Sequence, residues 1–311
     1  MAARKGWLRP PALKRGDAVG VVAPAGPVEP GPLERGLRIL RRMGLEPVEG
    51  RCLRQRTGFL AGSDSDRAED LIRMFRDSRI RGILCARGGY GANRVLPYLK
   101  PALVRAHPKV VVGSSDITLL LGFLTQQCRL VCWHGPMVAA SFGNRPMPRS
   151  QKQFARVLMG EEQGLHLRHA RARVLRAGRA RGRLAGGNLT LMTRSLGTPW
   201  ELETRGALLL IEEVNEAPYR IDGMLWQLKQ AGKFRGLKGV ILGEMIGCRF
   251  PEGRRGTLDE VFLDHLGDLG VPILANCPIG HGPEIWTLPL GARAELDTGN
   301  RSLTVDPALV V

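Results

Sequence analysis

Across the first half of the chain, short apolar runs rich in β-branched residues end in glycine-containing turns and are followed by segments with helical spacing. That alternation confines the half to an α/β fold with a parallel sheet covered on both faces. Residues 17–23, 80–86 and 110–112 read as buried strands, and residues 33–43, 64–76 and 117–124 as helices whose apolar positions recur at three and four. Gly44 follows the first helix as a stop, and Asp64 is the expected cap of the second. In such a sheet ligands gather at the carboxyl ends of the strands. Two sequences fall there. Arg87-Gly88-Gly89-Tyr90-Gly91 has three glycines in four positions, and Gly113-Ser114-Ser115-Asp116 joins a strand to a helix. A hydroxyl at the second turn meets unpaired amides and the positive end of a helix dipole. Taken alone, the same residues also fit an idle helix cap.

Residues 129–133 form a further expected strand, ahead of His134-Gly135-Pro136-Met137. A Pro-rich turn at 145–149 and an amphipathic helix to Met159 close this half. Residues 168–183 hold seven arginines among Ala, Val, Leu and Gly. The chain carries a net charge of +17, which raises the question of nucleic acid. The arginines are spread along the whole length, however, and the dense segment lacks aromatics for base stacking. It is read as a solvated connector and strand, with specific nucleic-acid binding not expected. The domains are accordingly set at 1–160, a connector at 161–183, and 184–311.

With 311 residues, 43% hydrophobic and 24% charged, the chain has enough material for two cores. It has no apolar run of the roughly 18–20 residues that cross a bilayer. Its basic N-terminal stretch lacks the apolar segment of a secretory leader, so a cytoplasmic protein without membrane attachment is expected. Six scattered cysteines without a C-x-x-C pair give no disulfide framework and no zinc site; no metal or cofactor is expected.

In the second half, Gly186-Gly187-Asn188-Leu189 opens a helix to Leu196, with Asn188 as its cap. Residues 207–211 are an apolar strand, and Glu212-Glu213 are expected just past its end. Charge beside a buried strand needs partners. A helix over 221–231, a strand over 239–243, a helix over 257–269, a strand over 271–275 and a hairpin of 293–296 with 302–305 complete the pattern. His281 sits in Ile279-Gly280-His281-Gly282, a loop position with no packing reason for an imidazole. An alcohol, an imidazole and a carboxylate are the three groups that nucleophilic acyl transfer brings together. Spacing alone leaves Glu212 and Glu213 both open as the carboxylate.

Seven motifs in order carry a resemblance: RGGYGANR (87–94), GSSD (113–116), HGPM (134–137), GGNL (186–189), GTPW (197–200), IEEVNEAPYRID (211–222), and GH with TLPLG (280–291). With them the chain resembles the LD-carboxypeptidases, the murein tetrapeptide carboxypeptidase family of serine peptidases, which is related to the microcin C immunity peptidases. The resemblance implies a flavodoxin-like parallel-sheet N-terminal domain and a smaller mixed α/β, barrel-like C-terminal domain. It implies Ser115 as nucleophile, Glu212 as orienting carboxylate and His281 as general base, the register to Pro218-Tyr219-Arg220 selecting Glu212. Backbone amides of Asp116 and Gly89 are the expected oxyanion donors. Arg87, Tyr90, Asn188 and Arg220 are the expected substrate contacts. The implied substrate is murein tetrapeptide, cut before its terminal D-alanine during cell-wall recycling in the cytoplasm by a homodimer. The alternatives are a microcin-immunity-type peptidase acting on aminoacyl-nucleotide conjugates and, from another class, a basic nucleic-acid-binding protein on an inactive scaffold.

Overall fold

The computed structural model describes residues 6–162, 164–253, 255–307 and 310. The first five residues of the N-terminal stretch read above for a leader lie outside the described residues. The chain divides into two units. One holds the residues up to 162 together with Trp286–Gly291; the other holds Gly164–Ile285 and Ala292–Pro307.

In chain order the first unit has β1 (Ala18–Val22), α1 (Pro30–Arg42), β2 (Glu46–Glu49), α2 (Asp64–Arg76), β3 (Ile80–Cys85), α3 (Pro101–Ala106), β4 (Val110–Gly113), α4 (Thr118–Gln126), β5 (Cys132–His134) and α5 (Pro148–Leu158). The second has β6 (Leu165–Arg168), β7 (Arg173–Arg176), β8 (Arg179–Asn188), α6 (Leu189–Arg194), β9 (Ala207–Val214), α7 (Pro218–Gln230), β10 (Gly239–Ile246), α8 (Leu258–Leu266) and β11 (Ile273–Cys277). The chain then returns to the first unit for β12 (Leu288–Leu290), before β13 (Arg293–Asp297) and β14 (Ser302–Val305) complete the second.

The first sheet has the order β12-β5-β4-β3-β1-β2. Its pairings are parallel except for β12, which runs antiparallel to β5. All of Val110–Gly113 and nearly all of Ile80–Cys85 are buried, as a sheet covered on both faces requires. Helix α2 lies close on β1, where a Cβ at Gly20 would stand 2.5 Å from Met74 Sδ. The second sheet is mixed, with the order β6-β14-β13-β8-β9-β10-β11-β7. Its central strands β8, β9 and β10 are parallel, and β13 and β14 form the expected antiparallel hairpin.

Four expectations change. Residues 161–183, expected as a connector and strand, hold two whole strands and the start of β8: β6 pairs with β14 and β7 with β11, making this segment both edges of the second sheet. Exposed edge strands accept arginine, and on β7 Arg173 meets Asp259 at 2.7 Å; Arg181, on the inner strand β8, meets Glu295 at 2.5 Å. Residues 288–290, placed by sequence in the second half, extend the first sheet. The cap of α2 is Ser63, whose hydroxyl accepts from Asp66 N at 3.1 Å, one residue before the expected Asp64. Strand β9 continues through Val214, because Asn188 pairs with Glu212 and Met245 with Glu213, so both glutamates lie inside the strand. Among the described residues, no helix is long and apolar enough to cross a membrane.

Candidate active site

Strand β4 ends at Gly113, and Ser115 opens a tight turn, Ser115–Ile117, that runs into α4. Ser115 is held at φ +57°, a left-handed conformation that costs a residue with a Cβ about 1–2 kcal/mol. The Thr118 hydroxyl donates to Ser115 O at 2.7 Å and closes the turn. Ser114 is buried in extended backbone, whereas Ser115 keeps partial exposure. Asp116 is buried and accepts from Ala92 N through Oδ2 at 2.7 Å. That bond ties the glycine-rich loop after β3 to the serine turn after β4.

The same loop needs its first glycine for a close approach. A Cβ at Gly88 would stand 2.9 Å from Ser115 Cβ and 3.1 Å from Asp116 N. Gly88 O in turn accepts from Gly26 N at 3.1 Å, which joins the loop after β1 to the same edge. Arg87 is half-buried and donates from Nη1 to Pro27 O at 2.8 Å. Tyr90 is exposed, its ring edge-on to Phe59 at 5.4 Å. Within the first unit, then, Arg87, Gly89, Tyr90, Ser115 and Asp116 share one sheet edge.

In the second unit, Glu212 is fully buried and accepts from His281 Nδ1 through Oε2 at 2.8 Å. With the proton on Nδ1, Nε2 is the lone-pair nitrogen, the arrangement a general base needs. The loop that carries the imidazole leaves no room for larger residues: at Gly280, φ +106°, a Cβ would lie 2.3 Å from Glu212 Oε2. On neighbouring β10, buried Glu244 occupies the place where a Cβ of Gly282 would go.

Glu213 points elsewhere. Its carboxylate accepts from Asn188 Nδ2 (2.9 Å), Thr190 N (2.8 Å), Thr190 Oγ1 (2.7 Å) and Val214 N (2.9 Å). Asn188 caps α6, accepting from Leu191 N at 3.2 Å, as its position before the helix predicts. Arg220 stands exposed on α7 beside Tyr219 and Glu216. His134 lies inside β5 and is wholly buried.

Thiol chemistry finds no footing. All six cysteines are free and buried. Burial pushes Cys52, Cys85, Cys128 and Cys277 up to about 12, and it raises Cys132 and Cys248 as well. Among the described residues, Asp222, Asp264 and His265 bring ligand-type atoms within 4.8 Å of one another. His265 Nε2 is already engaged with Asp222 Oδ1 at 2.7 Å, a tether between α7 and α8.

The sequence did not reveal Arg67, fully buried beneath the glycine-rich loop, or Glu244 against Gly282. A signal for Arg67 was present: it precedes Leu71 by four and Met74 by seven, so it lies on the apolar stripe of α2.

A serine at a strand-to-helix turn, in one unit, and a buried carboxylate holding an imidazole, in the other, are residue types that a serine-type hydrolase uses. Residues 19–135 match the LD-carboxypeptidase N-terminal domain, and residues 181–296 match the LD-carboxypeptidase C-terminal domain. A probable murein peptide carboxypeptidase of Bacillus subtilis (strain 168) is 38% identical over 301 residues, covering 96% of this chain and 94% of its own. The murein tetrapeptide carboxypeptidase of Pseudomonas aeruginosa is 34% identical over 294 residues, covering 91% and 94%. In fold, the chain is similar to microcin C7 self-immunity protein MccF in its wild-type apo state, with TM-score 0.92 at 24% identity over 98% of this chain and 100% of that one. The chain belongs to the LD-carboxypeptidase family and is a serine-type carboxypeptidase.

Proposed function

We propose that the protein releases the terminal D-alanine of murein tetrapeptide, in the cytoplasm and as a homodimer, during cell-wall recycling. The single observation that carries this reading is the 2.8 Å bond between buried Glu212 and His281 Nδ1, the pair that nucleophilic acyl transfer by a serine calls for, in a chain that matches the LD-carboxypeptidase domains. The left-handed turn at Ser115, packed against Gly88, supports Ser115 as its alcohol.

In the proposed mechanism, His281 Nε2 takes the Ser115 hydroxyl proton as Oγ attacks the carbonyl that precedes D-alanine. Glu212 keeps the imidazole in the Nδ1–H tautomer and stabilises the imidazolium. The Asp116 and Gly89 amides donate to the oxyanion. Collapse breaks the C–N bond, and the imidazolium gives its proton to the leaving amine of D-alanine. Water, deprotonated by His281, then cleaves the acyl ester and restores Ser115. Arg87 and Arg220 are assigned to the substrate's terminal carboxylate, and Tyr90 and Asn188 to its peptide.

The test incubates a defined tetrapeptide ending in diaminopimelyl-D-alanine with wild-type protein and Ser115→Ala, followed by mass spectrometry. The expected result is loss of one alanine with wild type and a fall of ~10⁶ in turnover for the variant. An untouched tetrapeptide, or a fully active Ser115→Ala, overturns the reading. Cleavage of an aminoacyl sulfamoyl adenosine in place of the tetrapeptide would assign the protein to the microcin-immunity type. Salt-dependent DNA binding without any hydrolysis would assign it to the nucleic-acid class.

A further inference from the structure

Arg67 is a charged residue with no exposed surface, four residues into α2. Its guanidinium is spent on backbone. Nε donates to Gly62 O at 3.3 Å, Nη1 to Gly91 O at 2.8 Å and to Pro24 O, and Nη2 meets Asp64 Oδ1. Asp64 is shared, since its Oδ2 takes Arg94 Nε at 3.0 Å. Burial disfavours the charged form of Arg67, and Asp64 works against that.

Three of these acceptors belong to loops at the carboxyl edge of the first sheet or beside it. Pro24 follows β1, two residues before Gly26, whose amide holds Gly88 O. Gly91 follows β3, one residue before Ala92, whose amide is held by Asp116. Gly91 is itself confined: at φ +112°, a Cβ there would stand 2.4 Å from Leu60 Cδ2 and 3.2 Å from Arg67 Nη1. The loop 87–91 is therefore gripped from two sides, by Arg67 beneath and by the Ser115 turn in front. Between these grips lies Gly89, which the proposed mechanism uses as an oxyanion donor.

From this geometry we propose that Arg67 is a positioning residue, setting the height and angle of the Gly88–Gly89 amides against Ser115; the inference rests on the peptidase reading above. A planar fork with five N–H groups can reach carbonyls of three separate segments at once. An ammonium with three donors on a flexible stem cannot keep all of them in register. Preorganised donors act in the transition state more than in the bound ground state, so their displacement falls on kcat.

Arg67→Lys and Arg67→Met are compared with wild type on the tetrapeptide, alongside hydrogen exchange of the backbone amides. The expected kcat falls roughly 10²–10³-fold, the range for loss of one oxyanion donor, while KM stays within about threefold. Exchange is expected to quicken at 24–26 and 87–92 and to stay unchanged in β4 and α4, and Arg67→Lys is expected to recover part of kcat. Should the Arg67 variants fail to fold, Asp64→Asn, which loosens the fork without removing it, is expected to lower kcat in the same direction by a smaller factor. A folded Arg67→Met with wild-type kcat, a loss confined to KM, or unchanged loop exchange overturns the proposal. If wild type itself leaves the tetrapeptide intact while exchange changes as expected, the peptidase reading has failed and the loop-positioning role has not.

Discussion

The carboxylates of Glu212 and Glu213 leave β9 on opposite sides: one accepts from His281 Nδ1 at 2.8 Å, the other from Asn188 Nδ2 at 2.9 Å. Alternation along a strand makes this unavoidable once either side is fixed. Glu212→Gln is expected to lower kcat by roughly 10³–10⁴ with little change in melting temperature, because it upsets the tautomer and leaves packing intact. Glu213→Gln is expected to do the reverse, with about 1–3 kcal/mol lost as the start of α6 loses a charged acceptor. Steady-state kinetics and thermal unfolding on the two variants separate these outcomes; equal kinetic losses would contradict the division of roles.

The strained turn at Ser115 makes a second prediction. Ser115→Ala and Ser115→Gly are both expected to be inactive, but they should differ in stability. Glycine relieves the left-handed conformation at φ +57° and alanine does not. The expected gap is about 1 kcal/mol in favour of glycine, read from urea midpoints at constant m. An alanine variant more stable than the glycine variant would mean the turn relaxes without its hydroxyl.

Three glycines test the close approaches. Gly88→Ala places a methyl against Ser115 Cβ and the Asp116 amide, and Gly280→Ala places one against a Glu212 carboxylate held by burial and by its bond to His281. Each is expected to cost about 1–3 kcal/mol and to lower kcat at least tenfold. Gly223, within α7 and with nothing inside 4 Å of a Cβ, is the contrast. Gly223→Ala is expected to stabilise by about 0.4–1 kcal/mol with kinetics unchanged. Calorimetry with parallel assays decides among them.

Lys109 supplies a pH prediction. Its ammonium is buried and donates to Met74 O at 2.7 Å and Asp77 O at 2.5 Å, and burial pulls its pKa from 10.5 down to about 8. Between those two values the unfolded chain binds more protons at this site than the folded one. Its contribution to stability therefore rises with pH across the window from about 8 to 10.5. Relative to wild type, Lys109→Met should lose that increment, so the stability difference between the two should shift toward wild type as pH rises from 8 to 10. A difference that stays flat with pH would place the lysine's titration outside this window.

The inner strands of the first sheet, β1, β3, β4 and β5, were legible because strands of a covered parallel sheet read as continuous apolar runs, and Val110–Val112 is such a run. The edges of the second sheet were not. Leu165–Arg168 and Arg173–Arg176 expose most of their side chains, so they carry no apolar run, and their partners lie more than 90 residues away. Strand β12 is three residues long and includes a proline, which is tolerated at a sheet edge but is a poor advertisement for a strand. In the candidate site, Ser115, Glu212 and His281 were chosen by residue type and resemblance. What sequence could not decide from residues alone was the parity of Glu212 and Glu213, since that depends on which face of β9 meets the His281 loop. Arg67 escaped notice because a buried guanidinium is justified only by carbonyls that come together after folding.

The excursion of Trp286–Gly291 into the first unit has a consequence for how this protein can be divided. A fragment ending near residue 162 would lack its outermost strand and bare the rim of β5, an invitation to pair with another molecule. The remaining piece would carry an orphan strand between His281 and the final hairpin. Neither half is continuous along the chain, so separate production of the two would have to move residues 286–291 as well as cut near residue 163.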